Sequence, residues 1–199
     1  LLTATLLFLS AQQLLRDPSL PLPLPEYTVL MAVPHPEIVS KHLLVPKHIH
    51  RSFHWWFFQH ESFPEDALMA EDMGFIDYLW DYWTIEGYRD DDHVRNIKRC
   101  LQRPGVMTNA LAYYRAMFDP QRADPSLHQL RSQLSNQIMV PTLALCGAED
   151  MRAELMREQS SCFGAAYDYH EIPQAGHFLH REQSQQVNAV MLDWLSRSA

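Results

Sequence analysis

Apolar residues in this chain fall into runs, alternations and helical stripes, and each rhythm predicts a different element. The first run, "LLTATLLFLSAQQLL", extends from Leu1 to Leu15 and stops at Arg16-Asp17. It is too short for a membrane span, which takes about twenty apolar residues. It also lacks the basic residues that precede the core of a signal peptide. The run therefore predicts a buried helix. "DPSLPLPLPE" follows. Its alternating prolines block helix and central strand alike and predict an extended linker. The linker feeds an uninterrupted apolar stretch from Tyr27 to Val33, closed by Pro34-His35-Pro36. That pattern suits a strand buried on both faces and delivering a loop, which His35 is expected to shape.

From Glu37 to about Gln137 the rhythm is helical. "SFHWWFFQHESFPE" carries an aromatic block of Phe53, Trp55, Trp56, Phe57 and Phe58. "EDMGFIDYLWDYW" sets Phe75, Leu79 and Tyr82 on one helical face, and "PGVMTNALAYYRAMF" sets Met107, Leu111, Tyr114 and Phe118 on another. Aromatics at such spacing read first as core packing. Arg115, beside the two tyrosines, is expected at the surface.

The final sixty or so residues alternate between element types. "VPTLALCG" predicts a strand from Thr142 to Cys146, stopped by Gly147. "AEDMRAELMREQSSCF" predicts one helix with Leu155, Gln159 and Phe163 along a side. "YDYHEI" alternates as a second strand before Pro173, and "EQSQQVNAVMLDWLSR" predicts a closing helix with Val187, Val190, Met191, Trp194 and Leu195 as its apolar stripe. A strand-helix-strand connection returns the chain to a parallel strand, so both strands release their loops at the same sheet edge. Asp150 lies in the first of those loops and His177 in the second, in "QAGHFLHRE". If the strands are neighbours, Asp150 can accept from one ring N–H of His177, fix its tautomer and stabilise an imidazolium.

Composition narrows the classes. A formal charge of −8 with scattered Lys and Arg argues against a nucleic-acid partner. No stretch suits a membrane partner, which leaves a small-molecule substrate and, undecided, a homo-oligomer. Three widely spaced cysteines, Cys100, Cys146 and Cys162, form neither a disulfide framework nor a metal clip, and a cytoplasmic setting is expected. His42, His48, His50 and His54 are close in sequence, but no Cys or carboxylate stands at ligand spacing, so no metal and no cofactor is expected. "RDDDH", Arg89 to His93, reads as an acidic helix start rather than a cation site.

Taken together, "VPTLALCGAED…IPQAGHFLHREQSQQVNAVMLDWL" resembles the C-terminal part of the α/β-hydrolase fold, most closely its epoxide hydrolase and haloacetate dehalogenase branch. The resemblance covers about Val29 to Leu195. It implies a partial α/β-hydrolase fold of the α/β class with a mainly helical cap domain. Residues 1–36 would hold the apolar segment, linker and one core strand, 37–137 the cap, and 138–199 the end of the core. The triad acid of that branch falls on Asp150 and its histidine on His177. "MAVPHPE" is similar to the strand and loop that enter the cap, and "NALAYYRAMF" to the cap segment whose tyrosine falls on Tyr114. Epoxide hydrolases often carry a second cap tyrosine where this chain has His54. The pair His54-Trp55 is closer to haloacetate dehalogenases, where His, Trp and Tyr bind the departing halide. Tyr114, Trp55 and His54 are the substrate-binding candidates that follow.

The resemblance also implies a nucleophile. An Asp enzyme needs an aspartate on a sharp strand-to-helix elbow between small residues, and a Ser enzyme needs Gly-x-Ser-x-Gly there. Neither pattern occurs in the 199 residues, and all six glycines, from Gly74 onward, lie after the point where the elbow would come. The expectation is a truncated or diverged form, inactive by itself. Three classes stay open: a capped hydrolase working through an ester intermediate, a serine-type ester or carbon-carbon bond hydrolase, and a non-catalytic remnant.

Overall fold

The structure, a computed structural model, describes residues 26–122, 125 and 131–198. The helix expected over Leu1 to Leu15 and the linker up to Pro25 lie outside the described residues. In chain order the elements are β1 (Thr28–Met31), α1 (Pro36–His42), α2 (Pro46–Arg51), α3 (Phe53–Phe57), α4 (Phe63–Met69), α5 (Gly74–Trp83), α6 (Asp91–Leu101), α7 (Val106–Phe118), β2 (Thr142–Gly147), α8 (Ala153–Arg157), β3 (Tyr167–Ile172), α9 (Leu179–Glu182) and α10 (Ser184–Ser198). The described residues group into two compact units, 26–43 with 131–198, and 44–122 with 125.

The first unit is a parallel sheet in the order β1-β2-β3. Thr28 pairs with Thr142 and Met31 with Leu145, while Thr142 pairs with Tyr167 and Gly147 with Ile172. Every residue of the central strand β2 is buried. Successive side chains of a strand point to opposite faces, and β2 is apolar at each, so helices can cover both sides. Leu143 and Leu145 pack with Ile172, Ala175, Leu179, Val187 and Trp194 on the α10 side. Ala144 and Cys146 pack with Ile38, Ala153, Leu155, Met156 and Phe163 on the other. β1 departs from the expectation of burial on both faces: of its four residues only Leu30 is buried. Among the described residues it is an edge strand, paired to β2 alone.

The crossover between β2 and β3 also differs from the single helix predicted. It is a five-residue α8 followed by a 3₁₀ turn, Gln159–Cys162. Two side chains explain the break. Asp150 Oδ1 accepts the Arg152 N–H (2.7 Å), which makes a turn where a helix was expected to begin. Gln159, completely buried, accepts the His35 N–H (2.7 Å) and donates to the Tyr167 hydroxyl (2.9 Å), which draws the chain inward.

The second unit is helical. Prolines stand in the first turns of α2 and α4, where a missing N–H costs nothing. Asp90 Oδ1 accepts the His93 N–H (3.0 Å) and caps α6, so "RDDDH" is a helix start; Arg89 spans Asp77, Asp81 and Asp91 beside it. The core joins Phe58, Leu68, Met73, Leu79, Met107 and Leu111 with half-buried Phe53, Phe75, Trp83 and Tyr114. Arg115 corrects the sequence expectation of a surface arginine, because it is buried. It sits at i+8 from Met107 and i+4 from Leu111, on the stripe those residues define. Its guanidinium pairs with both Glu65 oxygens (2.8 Å each) and donates to the carbonyls of Phe58 (3.2 Å) and His60 (2.6 Å). A charge at such a place is tolerated because every face of it has an acceptor.

Among the described residues no group of three or more His, Cys, Asp or Glu side chains is arranged to hold a metal ion. No described helix is long and apolar enough to cross a membrane.

Candidate active site

The site begins at the last residue of β2. An ideal Cβ on Gly147 would lie 2.2 Å from the carbonyl oxygens of both Ala175 and Gly176, so only glycine lets the two loops cross this closely. The ladder continues past the strands: Ala148 N–H donates to Ile172 O (2.9 Å) and Glu149 N–H to Ala175 O (3.0 Å). Asp150 N–H then turns back to Gly147 O (3.1 Å). Backbone contacts alone thus bring the Asp150 loop against the His177 loop.

There His177 Nδ1 lies 3.0 Å from Asp150 Oδ2. The Asp150 side chain is 0% exposed and that of His177 15%. An ionised carboxylate accepts only, so His177 Nδ1–H donates, and in the neutral ring the basic lone pair falls on Nε2. With the Arg152 amide on Oδ1 and the imidazole on Oδ2, both buried oxygens of Asp150 are engaged. Neighbouring Cys146 is fully buried, and burial followed by the charge of Asp150 pushes its thiol well above the usual range. It is a neutral wall to the pair.

The far side of the His177 loop is tied by side chains that the sequence reading passed over. Gly176 N–H donates to Glu182 Oε2 (3.0 Å), and Gln183 Nε2 donates to Gln174 O (2.9 Å). Both carriers lie just beyond the histidine, at the end of α9. Their local spacing within "GHFLHREQ" is the signal by which they could have been found.

His35 also organises a loop of this unit. It is completely buried: Nδ1 accepts the Glu37 N–H (3.1 Å), and Nε2–H donates to Asn136 O (3.1 Å). Burial, opposed by the Asn136 bond, holds its pKa below the ordinary histidine value.

Within the helical unit the other three candidates come together. The His54 ring, 1% exposed, has ring centroids at 5.1 Å (Trp83), 5.8 Å (Phe53), 5.9 Å (Tyr114), 6.1 Å (Phe58) and 6.2 Å (Trp55). All five are edge-to-face, the arrangement aromatic quadrupoles favour. Gln59 Nε2 donates to the carbonyls of Trp55 (2.7 Å) and Tyr114 (3.0 Å), stapling the α3 segment to α7.

Comparison with known proteins agrees with this architecture. No family model matches the chain. Its sequence is 25% identical over 177 residues to epoxide hydrolase 3 of Xenopus tropicalis, covering 85% of this chain and 46% of that protein. The chain therefore spans about half the length of the curated relative it matches. Among solved structures, a candidate epoxide hydrolase from Klebsiella pneumoniae superposes with a TM-score of 0.72 at 16% identity, covering 85% of this chain and 58% of that one. A candidate acyltransferase from Salmonella enterica gives 0.69 at 18% identity, covering 87% and 57%. A candidate α/β hydrolase from Nostoc gives 0.69 at 18% identity, covering 94% and 62%. Proteins with different named activities share the architecture, so the likeness speaks for the fold and not for one reaction. The chain has a partial α/β-hydrolase fold: a parallel sheet with covering helices, and a helical cap region.

Proposed function

We propose that this chain supplies the water-activating half of a capped hydrolase of the epoxide hydrolase and dehalogenase type. The observation that carries the reading is the 3.0 Å contact between His177 Nδ1 and buried Asp150 at the carboxyl edge of a parallel sheet. Open α/β sheets use that edge for their sites. In the proposed cycle a carboxylate attacks an epoxide or haloalkyl carbon. A carbon-oxygen bond forms, the ring carbon-oxygen or carbon-halogen bond breaks, and an ester remains. His177 Nε2 then takes a proton from water as the water adds to the ester carbonyl, and Asp150 stabilises the imidazolium. On breakdown the imidazolium protonates the departing alkoxide and the alcohol leaves. The carboxylic acid so formed gives up its proton, which replaces the one Tyr114 donated on the epoxide route or passes to solvent on the halide route, and the carboxylate is restored. General base catalysis of this kind contributes roughly 10²–10⁴-fold.

Tyr114, His54 and Trp55 are assigned to the substrate. Tyr114 would donate to the departing epoxide oxygen, and His54 with Trp55 suits a departing halide. No Asp or Ser elbow pattern occurs in the 199 residues, so the chain by itself is expected to turn over neither an epoxide nor a haloacetate. Hydrolysis of either by the isolated chain, lost in His177→Gln, would overturn that expectation of inactivity.

A trapping experiment tests the chemistry. A carboxylate nucleophile is already ionised and needs no base for its attack, whereas a serine does. The product of the whole open reading frame that contains these residues, carrying His177→Gln, is incubated with a terminal epoxide or a haloacetate and weighed by mass spectrometry. The reading expects an accumulated ester, seen as the added mass of the substrate. Substrate consumption by the unsubstituted protein without an adduct in His177→Gln would favour the serine-type reading. No adduct and no turnover in either would favour the non-catalytic one.

A further inference from the structure

The Asp150 side of the His177 pair is set by the sheet, but the histidine sits on a loop of six residues between β3 and α9 whose other anchor is a side chain. We infer that Glu182 is a positioning residue for the proposed base: its carboxylate holds the Gly176 amide, and through it the His177 ring, at hydrogen-bonding distance from Asp150. The inference rests on the reading of His177 and Asp150 as the base and its orienting acid.

Three observations support it. Gly176 N–H donates to Glu182 Oε2 at 3.0 Å, directly ahead of the histidine. A charge-assisted bond of this kind is stronger than a neutral one and restrains the amide that fixes the direction of the next residue. Two residues ahead of Gly176 the backbone is under strain, since Gln174 has φ of 53° without being glycine, and its carbonyl is held by Gln183 Nε2 (2.9 Å). A strained turn persists only where its surroundings over-determine it. Finally, the strand side offers the loop one backbone donor, Glu149 N–H to Ala175 O (3.0 Å), so the loop is gripped at 175 from one side and at 174 and 176 from the other. Releasing 176 frees the segment next to the ring. The action inferred for Glu182 runs through the backbone, from its carboxylate to the Gly176 amide.

The experiment reads the imidazole directly. The His177 Nδ1–H resonance is observed by proton and nitrogen NMR in the 199-residue chain, assigned by its loss in His177→Gln. Asp150→Asn tests the underlying pair. If the resonance keeps its position and exchange rate there, the reading of the pair fails, whatever Glu182 does. With the pair established, Glu182→Ala is expected to speed exchange of that proton with solvent by about tenfold or more, the scale of one charge-assisted hydrogen bond. Glu182→Gln, which keeps a neutral acceptor oxygen at the same reach, is expected to recover part of that restraint. Glu182→Asp retains charge and folding but withdraws the oxygen, and is expected to fall between them. Backbone amides of β2 and β3 serve as the control for folding. Unchanged exchange in both Glu182→Ala and Glu182→Asp overturns the inference. So does equal loss in Glu182→Ala and Glu182→Gln, which would indicate a requirement for charge in place of an acceptor.

Discussion

The two units hold their candidate residues by different means. In the sheet unit the Asp150 loop is fixed by backbone: the close approach at Gly147, the continued ladder through Ala148 and Glu149, and the return bond from Asp150 to Gly147. In the helical unit His54, Trp55 and Tyr114 are fixed by ring packing and by side chains, Gln59 and Arg115, that reach across to carbonyls. Backbone hydrogen bonding is indifferent to side-chain identity except where no side chain fits. Side-chain staples depend on each residue that makes them. The Asp150 side of the sheet site should therefore be sensitive at a few glycine-like positions, and the helical site, like the His177 loop with Glu182 and Gln183, at its polar anchors.

Gly147→Ala should give the largest effect. The added carbon would meet two backbone oxygens at 2.2 Å, and neither can swing aside as a side chain could. The cost belongs at the upper end of overpacking, about 3 kcal/mol, and the His177–Asp150 bond should be lost with it. Four of the five tryptophans, Trp55, Trp56, Trp80 and Trp83, lie in the helical unit. Near-ultraviolet circular dichroism thus reports mainly that unit and should change little. A variant that keeps the His177 Nδ1–H resonance would remove Gly147 from the explanation of the site.

Arg115→Leu is the converse test. Removing one partner of a buried ion pair costs about 3–5 kcal/mol. Glu65 keeps 25% of its side chain in solvent, so roughly 2 kcal/mol is the better expectation after screening. Here the tryptophan dichroism should weaken while the His177–Asp150 signal survives. The pair has a pH signature as well. Hydrogen bonding to Arg115 holds the Glu65 carboxyl below the ordinary glutamate value of about 4.5. A depressed carboxyl contributes stability that is complete above its unfolded pKa and is lost as pH falls through the folded one. The wild-type chain should lose this contribution below about pH 4.5, and Arg115→Leu should not. Urea midpoints at pH 6 and pH 3.5 compare the two.

The same contrast governs what the sequence disclosed. β2, β3 and the closing helix were legible because their patterns are local: an apolar run ended by glycine, an alternation ended by proline, a helical stripe. The meeting of Asp150 with His177 followed from topology, since parallel neighbours release their loops at one edge. Residues whose partners are distant in sequence were not legible. Arg115 read as a surface group because Glu65, 50 positions away, carries no sign of the pairing, although the i+4 spacing from Leu111 already placed it on the buried face. Gln159 read as part of a helical stripe because its partner His35 lies 124 positions earlier. The clustering of His54, Trp55 and Tyr114 was reached only through resemblance.

His35 limits the comparison earlier in the sheet unit, because it too is a side-chain anchor there, as Glu182 and Gln183 are beside His177. It joins the start of α1 to Asn136 and, through its own N–H, to Gln159. Protonating Nδ1 would turn the acceptor of the Glu37 N–H into a donor and break that cap. Burial is the largest cause that lowers its pKa; the Asn136 carbonyl and the charge of Glu37 oppose it, and Lys41 reinforces it. The sign of the linkage is therefore opposite to that of a histidine gaining an acidic partner. Its contribution is fully present above the unfolded value of about 6.5 and declines as pH falls from there through the lower folded value. The wild-type urea midpoint should drop between pH 7.5 and pH 5.5 by more than that of His35→Gln, which cannot titrate. This is the smallest of the expected effects, and its location matters more than its size. His35 stands four residues beyond β1 and immediately before α1, where the chain leaves the sheet. If the two variants show equal pH dependence, the sheet unit is held by backbone even at that exit. If they differ as expected, the reliance on side chains begins before the helical unit does.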